Sequence, residues 1–332
     1  MDIFGITPST IYMIIGFLLS LYACISNDVI QTLGTFLATT KDRPVWQVWL
    51  FSSAVLVITF VVGWYINDGD MAFGRLTKIP FPDQFYWWHI LPPIILIYLT
   101  KLGIPVATSF LIVSIFSSNT VIGLMIAKSF FGYVAAFLVS LILYFFIARK
   151  VEKIFLYKKN NISKPWYVAK WISTALLWSA WLLQDGAVLY VFLPRKLTFI
   201  EMALTLMIFV IFLYSICYQR GGEIQNIIKL KTNTQDIRSA TIIDIVFALI
   251  LLYFQNVNNI PMSTTWVFLG VLAGREIALY NRLRFITEKK VYKHVIKDFT
   301  KAIIGLFVSI SVVFILTHHI EIFNLLKHYM NL

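Results

Sequence analysis

Charged residues are scarce in this sequence. They make up 13% of its 332 residues, whereas apolar residues make up 59%. A typical soluble domain carries about 25% charged residues, so a chain with this composition is expected to face lipid over most of its length. Each crossing of a bilayer takes about 20 apolar residues, and the sequence has room for about ten crossings. We therefore predict an all-α polytopic membrane protein.

Cysteines and catalytic motifs are also few or absent. The two cysteines, Cys24 and Cys217, show no metal-like spacing, so neither a disulfide framework nor a zinc site is indicated. No H-E-x-x-H, G-x-S-x-G or phosphate-cradling glycine loop occurs. Residues 1–24 lack a basic n-region and a small-residue cleavage site, and we interpret them as a retained span. We predict no enzyme activity, no cofactor and no metal other than a coupling sodium ion.

Ten apolar stretches are separated by short polar loops, and the basic residues lie in those loops. The stretches cover residues 7–26, 46–66, 86–101, 104–127, 130–148, 166–193, 199–217, 240–256, 260–280 and 300–317. If the N-terminus lies outside, the loops richest in Lys and Arg fall inside, and the short turns near Lys128, Arg195 and Asn258 fall outside. The net charge of +12 then reflects orientation and lipid contact, with no nucleic-acid partner. We expect an integral protein of the cell (inner) membrane with both termini outside.

Two short patterns recur along the chain at nearly the same offset. Gly103 to Ser109 (GIPVATS) matches Asn259 to Thr265 (NIPMSTT) at an offset of 156 residues, and Asn27-Asp28 matches Gln184-Asp185 at 157. This indicates a duplication. We predict a first repeat over 1–150, a basic cytoplasmic linker over 151–165 and a second repeat over 166–332. Because five spans is an odd number, the two repeats have inverted topology.

Each repeat contains one aspartate within an apolar stretch. As one helix, residues 7–40 would be about 50 Å long, too long for a simple crossing, so we predict a helix broken near Asn27-Asp28. Residues 166–197 repeat this arrangement around Gln184-Asp185. A carboxylate at this depth is expected to face the protein interior or a water-filled cavity. The alternative is that each aspartate ends a helix at the interface, but the recurrence in both halves favours a functional site.

Each repeat also contains a proline followed by hydroxyl side chains. Pro105 precedes Thr108 and Ser109, and Pro261 precedes Ser263 to Thr265. Proline suits a helix start, and the unpaired N–H groups and positive dipole end there favour an anion. A single such patch would be read as a helix cap. Two patches paired with two intramembrane aspartates are typical of a site that holds a cation and an oxyanion together.

At these residues the sequence resembles the inorganic phosphate transporter (PiT) family, which includes sulfate permeases. The family repeats a G-A-N-D-V-A-N-A segment and a P-V-S-T-T-H segment, and here these stand as ISNDVIQT from Ile25, QDGAV from Gln184, PVATSF from Pro105 and PMSTTW from Pro261. The sequence departs from the pattern at Ala107, Phe110, Gln184 and Trp266. The resemblance implies a cation site at Asn27, Asp28, Gln184 and Asp185 and an oxyanion site at Thr108, Ser109, Ser263, Thr264 and Thr265.

The expected function is that of a secondary active transporter that couples Na+ or H+ to the uptake of an inorganic anion, with phosphate as the expected substrate. A permease for sulfate or another oxyanion is the alternative, as is a non-transporting receptor or channel with the same fold. An enzyme that uses Asp28 and Asp185 as an acid/base pair is the third class, but no nucleophile or cofactor motif accompanies them. We leave open whether the chain forms a homo-oligomer.

Overall fold

The computed structural model describes residues 7–102, 106–147, 162–220, 236–283 and 288–329, and within these ranges the regular structure is entirely helical. The α-helices are α1 (Pro8–Asn27), α2 (Val29–Thr39), α3 (Val45–Ile66), α4 (Leu91–Lys101), α5 (Asn119–Ile147), α6 (Lys164–Tyr190), α7 (Phe199–Tyr218), α8 (Ile237–Val257), α9 (Thr264–Leu283) and α10 (Glu288–Tyr329). Seven of them are long and apolar enough to cross a bilayer: α1, α3, α5, α6, α7, α8 and residues Val291–His318 of α10. The prediction of an all-α polytopic membrane protein is confirmed.

The predicted division of residues 104–148 into two spans is wrong. A single helix, α5, covers Asn119–Ile147, so Lys128 lies inside a helix where we predicted a turn. The ammonium group of Lys128 donates to the backbone oxygens of Asn258 and Ile260, at 3.0 and 2.8 Å. Because these carbonyls replace water as partners of the charge, the lysine does not need to reach a polar loop.

A half-length helical hairpin precedes α5. Its first arm, α4, has 11 residues and is therefore about 16 Å long, too short to cross a bilayer. The chain returns through a π-helical turn (Ser109–Val113) and a 3-10 turn (Ser114–Phe116). These short turns replace the α-helix predicted after Pro105, and Gly103 to Pro105 lie outside the described residues. In the second half, α9 does begin three residues after Pro261, as predicted.

The predicted helix break is present in the first half and absent from the second. α1 ends at Asn27 and α2 begins at Val29, with Asp28 between them at φ −102° and ψ −32°. In contrast, α6 runs without interruption through Gln184 and Asp185 to Tyr190. The expected break at Asp185 is therefore wrong. The chain leaves the helix only ahead of Pro194, since a residue that precedes proline avoids helical geometry.

The two predicted repeats contact each other most closely between α5 and α9. A Cβ atom on Gly270 would lie 2.5 Å from the backbone oxygen of Tyr133, and one on Gly274 would lie 2.3 Å from that of Phe137. Only residues without a side chain allow this approach of two helices. The predicted linker over 151–165 falls mostly on residues outside the described ranges, and its last two residues are the first two of α6.

Candidate functional site

The two aspartates and the two hydroxyl patches lie together in the protein interior. Asp28 stands between α1 and α2, and Asp185 lies in the last two turns of α6. Thr108 directly precedes the π-helical turn with which the chain returns from α4, and Thr264 and Thr265 are the first residues of α9. The exposed fraction of each of these five residues is 4% or less. Each half therefore contributes one carboxylate and at least one hydroxyl to a buried polar cluster.

Asp28 accepts hydrogen bonds from both halves of the chain. Its Oδ1 accepts from Asn27 Nδ2 at 2.9 Å, Gln31 Nε2 at 3.0 Å and Thr265 Oγ1 at 3.3 Å. The hydroxyl of Thr108 donates to its Oδ2. Gln31 Nε2 also donates to Thr265 Oγ1 at 3.1 Å, so α2 and α9 are joined through Gln31. Hydrogen bonds to a carboxylate are stronger than those between neutral groups, and this set holds Asp28 in one orientation.

Asp185 repeats the contact between aspartate and threonine. Its Oδ2 accepts a hydrogen bond from Thr264 Oγ1 at 2.7 Å, across 79 residues, and the Asp28–Thr108 pair is 80 residues apart. Among the described residues, Thr264 is the one side chain that donates to Asp185. The two carboxylates belong to one cluster, since Asp185 accepts from Thr264 and Asp28 accepts from the adjacent Thr265. The described ion pairs are Lys170–Asp244 and Arg238–Asp236, so neither Asp28 nor Asp185 has a described basic partner at ion-pair distance.

Arg75 supplies positive charge near Asp185 without forming an ion pair. It lies in the loop between α3 and α4, and its Nε donates to the backbone oxygen of Leu183 at 2.7 Å. Burial lowers the pKa of the guanidinium group to about 10, while the charge of Asp185 opposes that shift. The side chain therefore stays protonated at neutral pH. It places a fixed positive charge beside the second carboxylate.

Three predicted site residues make hydrogen bonds with groups other than the two carboxylates. Gln184 Nε2 donates to the backbone oxygen of Leu251 at 2.6 Å, so its amide is turned towards α8. Ser263 Oγ accepts from the backbone N–H of Trp266 at 3.3 Å, which makes it the cap of α9. Ser109 Oγ donates to the backbone oxygen of Met262 at 3.2 Å, so it joins the hairpin to the segment that leads into α9. Of these three, Ser109 remains closest in role to the prediction.

Sequence reasoning missed Gln31, although it lies one helical turn after Asp28. Its Nε2 binds Asp28 and Thr265, but its Oε1 is buried and has no hydrogen-bond partner in the described structure. Buried acceptors are nearly always paired, so this oxygen is available to a bound cation or to a proton donor. A polar residue in the apolar stretch, three positions from an aspartate, was the signal that could have identified it.

The aromatic residues that replace the family's histidines take different positions. The ring of Trp266 packs on the rings of Tyr133 and Phe299, with centroids 6.3 and 6.5 Å apart. Phe110 lines a cavity of about 170 Å³ between the end of the α4 hairpin, α5 and α10. Neither side chain supplies a polar atom to the buried cluster. The donors around the two carboxylates are therefore hydroxyls and amides together with Arg75 nearby.

Comparisons with known proteins show the fold of this chain. No family model and no curated protein sequence matches it. A solved structure described as "The sodium-dependent phosphate transporter" matches with a TM-score of 0.61 and 14% sequence identity, over 92% of this chain and 98% of that one. At this identity the likeness shows a shared fold. The chain is thus an integral membrane protein with the fold of a membrane transporter, which agrees with the resemblance found in the sequence.

Proposed function

We propose that this chain is a secondary active transporter that couples Na+ or H+ to the uptake of an inorganic anion, phosphate being the expected substrate. One observation carries the proposal: two buried carboxylates without a described basic partner meet hydroxyl groups from both halves of the chain. The shared fold with a transporter supports it. We also propose the cell (inner) membrane as its location; the expectation that both termini lie outside rested on ten crossings, whereas seven of the described helices are long and apolar enough to cross.

The cation would bind at the carboxylates. Two ionised carboxylates in one buried cluster would repel each other, and an unpaired carboxylate in a dry interior is costly by several kcal/mol or more. A sodium ion or a proton relieves both penalties. The oxygen atoms in contact with Asp28 include Thr108 Oγ1 and Thr265 Oγ1, and Gln31, whose Nε2 contacts Asp28, has an unpaired Oε1. Carboxylate, hydroxyl and amide oxygens are ligands suited to a hard cation.

The anion would bind at the hydroxyl groups and at the start of α9. The first N–H groups of a helix have no partner within the helix, and its N-terminus carries partial positive charge. Thr264 and Thr265 are the first two residues of α9, and Thr108 and Ser109 lie opposite them in the hairpin. Arg75 adds positive charge on the side of Asp185. These groups match an oxyanion such as phosphate.

Coupling would follow from charge. An oxyanion placed beside two ionised carboxylates is repelled by both, so its affinity is low until a cation or a proton neutralises them. The cation likewise gains an attractive partner when the anion is present. Each ligand therefore increases the affinity for the other by the same factor. Binding of both together is what a symporter requires.

Alternating access would involve the contacts that join the two halves. Thr265 donates to Asp28 in the other half, and Ser109 donates to the backbone oxygen of Met262. The site is buried in this structure, since its two aspartates and its threonines are at most 4% exposed. Movement of one half against the other would break these contacts and open the site, as in other transporters with inverted repeats.

Phe110 and Trp266 stand where the PiT pattern has histidine, and this difference bears on which oxyanion is the substrate. Neither ring brings a titratable nitrogen to the site, so the site lacks the proton donor that a histidine would supply at these two positions. A fully deprotonated oxyanion such as sulfate is therefore the second candidate. Uptake should be compared for phosphate, sulfate and other oxyanions.

The decisive experiment is uptake of labelled phosphate by proteoliposomes under an imposed Na+ or H+ gradient. We expect accumulation by the wild-type chain and its loss in the double variant Asp28→Asn/Asp185→Asn. Glu201→Gln, at the exposed start of α7, is the matched control and should transport normally. Accumulation of phosphate or sulfate that persists in the double variant would contradict the mechanism. Thermal unfolding of each purified variant checks that it is folded.

Counterflow separates a transporter from a channel or a receptor that shares the fold. With excess unlabelled anion inside and the membrane potential held at zero, a carrier transiently concentrates labelled external anion. Under these conditions neither a channel nor a receptor concentrates label. Absence of counterflow together with saturable anion binding would assign the chain to the receptor class.

A further inference from the structure

A second buried polar cluster lies between α2, α6 and α8, away from Asp28 and Asp185. Its members are Lys170, Asp244, Thr35, Ser173 and Thr174, and each is 3% exposed or less. We propose that this cluster is a cation cage in which the ammonium group of Lys170 takes the place of a monovalent metal ion such as sodium. The proposal concerns a site other than the transport site, and it holds whichever anion is carried.

The geometry centres on the carboxylate of Asp244. Its Oδ2 lies 2.6 Å from Lys170 Nζ and accepts from Thr174 Oγ1 at 2.9 Å. Its Oδ1 accepts from Thr35 Oγ1 at 2.7 Å, and Lys170 Nζ also donates to that hydroxyl oxygen at 2.9 Å. Ser173 Oγ is 3.5 Å from Oδ2. The ammonium group therefore contacts the carboxylate from α8 and a hydroxyl from α2, and two hydroxyls of its own helix bind the same carboxylate.

These are the ligands that a hard metal cation uses. Carboxylate and hydroxyl oxygens suit alkali and alkaline-earth ions, whereas sulfur and imidazole ligands suit transition metals. A lysine ammonium is a compact point charge with three donors, so its charge and shape are close to those of a small cation. Lys170 and Thr174 are four residues apart on one face of α6. Lys170 thus reaches the cage from α6, which also supplies the hydroxyl group of Thr174 to the cage.

The fold does not require charge at this position. At the offset of 157 residues between the two aspartates, Lys170 corresponds to Met13, Thr174 to Phe17 and Thr35 to Phe192. Phe17 and Phe192 are part of the buried apolar core. Apolar packing fills the corresponding place in the other half, and replacing a buried ion pair by apolar residues is often neutral or stabilising. Packing alone therefore does not account for an acid surrounded by four donors.

The cage has a consequence for ion use. A cation attached to the chain does not exchange with solution, so this position takes up no metal ion at any stage of a transport cycle. It also ties α2, which follows Asp28, to α6, which carries Asp185. Any exchangeable cation must bind elsewhere, and removal of the lysine should create a sodium site that the wild-type chain lacks.

Sodium binding by the purified full-length chain tests the proposal. We would measure ²²Na+ bound per chain and the apparent Tm in NaCl and in choline chloride. Lys170→Ala should bind one more Na+ per chain than wild type, with a saturable rise in Tm in NaCl and none in choline chloride. Lys170→Met, which fills the cage without charge, and Lys170→Ala/Asp244→Asn, which lacks the carboxylate, should not show the additional site.

The outcomes that overturn the proposal are distinct. Equal sodium binding by Lys170→Ala and Lys170→Ala/Asp244→Asn would show that the cage does not take sodium, as would equal stabilisation by choline. If Lys170→Ala and Lys170→Ser yield no folded protein in about 300 mM NaCl while Lys170→Met/Asp244→Asn folds, the cage rejects sodium and the proposal is wrong. The assay does not measure transport, so its failure is distinguishable from failure of the proposed function.

Discussion

The two threonines that donate to the aspartates should differ in their importance for cation binding. Thr264→Val and Thr108→Val each remove one hydroxyl while they keep the size and branching of the side chain. Asp185 then loses the one side-chain donor that the described structure gives it. Asp28 keeps Asn27, Gln31 and Thr265 as donors after the loss of Thr108. We expect Thr264→Val to have the larger effect.

The size of the effect follows from the strength of hydrogen bonds to charged groups. Such a bond contributes about 1.5–3 kcal/mol, and each 1.4 kcal/mol corresponds to about a tenfold change in an equilibrium constant. If the cation is Na+, it loses a hydroxyl oxygen as a ligand, and Thr264→Val should raise its half-saturating concentration roughly 10- to 150-fold. If the cation is a proton, the lost donor no longer stabilises the ionised carboxylate, and the half-saturating proton concentration should fall instead. For Thr108→Val, three amide and hydroxyl donors and the weaker thiol donor of Cys24 remain on the carboxylate, and the change should stay below about tenfold.

The assay is the initial rate of anion uptake by proteoliposomes as a function of cation concentration. Thr264→Ser and Thr108→Ser keep the hydroxyl and are the matched controls, which should stay near wild type. Thermal unfolding separates a loss of affinity from a loss of fold. An equal or larger effect of Thr108→Val would refute the reasoning, because it would mean that the number of donors around each carboxylate does not govern the site.

Two further predictions concern the junction of the halves. Gln31→Leu removes the amide that links Asp28 to Thr265, including the unpaired amide oxygen, so the half-saturating cation concentration should rise about tenfold or more. The Tm of this variant should stay near that of wild type. An unchanged dependence of uptake on cation concentration would contradict the proposed role of Gln31. Gly274→Ala should destabilise the protein by about 1–3 kcal/mol, because the new methyl group would lie 2.3 Å from the backbone oxygen of Phe137. In the control Gly123→Ala, the new methyl group has no atom within 4 Å, so Tm should stay unchanged or rise slightly. Equal Tm values for the two variants would count against close packing of α5 and α9.

Several features were predictable because they depend on local sequence. Apolar stretches of about 20 residues predict membrane helices from their own composition, since the solvent that they face is lipid. The break at Asp28 follows from the length of the apolar stretch over residues 7–40, and the start of α9 follows from Pro261 three residues before it. The repeated aspartate and threonine positions also indicated which segments lie together, and the hydrogen bonds Thr108–Asp28 and Thr264–Asp185 now join them. Their roles in binding remain predictions.

Other features depend on partners that are distant in sequence. Gln184 and Asn27 occupy corresponding positions, yet Gln184 donates to Leu251 of α8 while Asn27 donates to Asp28. Lys128 lies inside a helix because two carbonyls, about 130 residues further along the chain, bind its ammonium group. Similar local patterns thus led to different structures, and the difference was set by which backbone oxygens lay within reach.

The sequence by itself determined that the chain is a helical membrane protein, because scarcity of charge is a property of the chain alone. The duplication that the recurring motifs indicate stays a prediction. Only the tertiary structure decided which buried charges are satisfied. It paired Lys170 with Asp244 and left Asp28 and Asp185 with hydroxyl and amide donors but no described ion-pair partner. A charge in a dry interior is governed by the few atoms that touch it, and these come from helices far apart in the sequence.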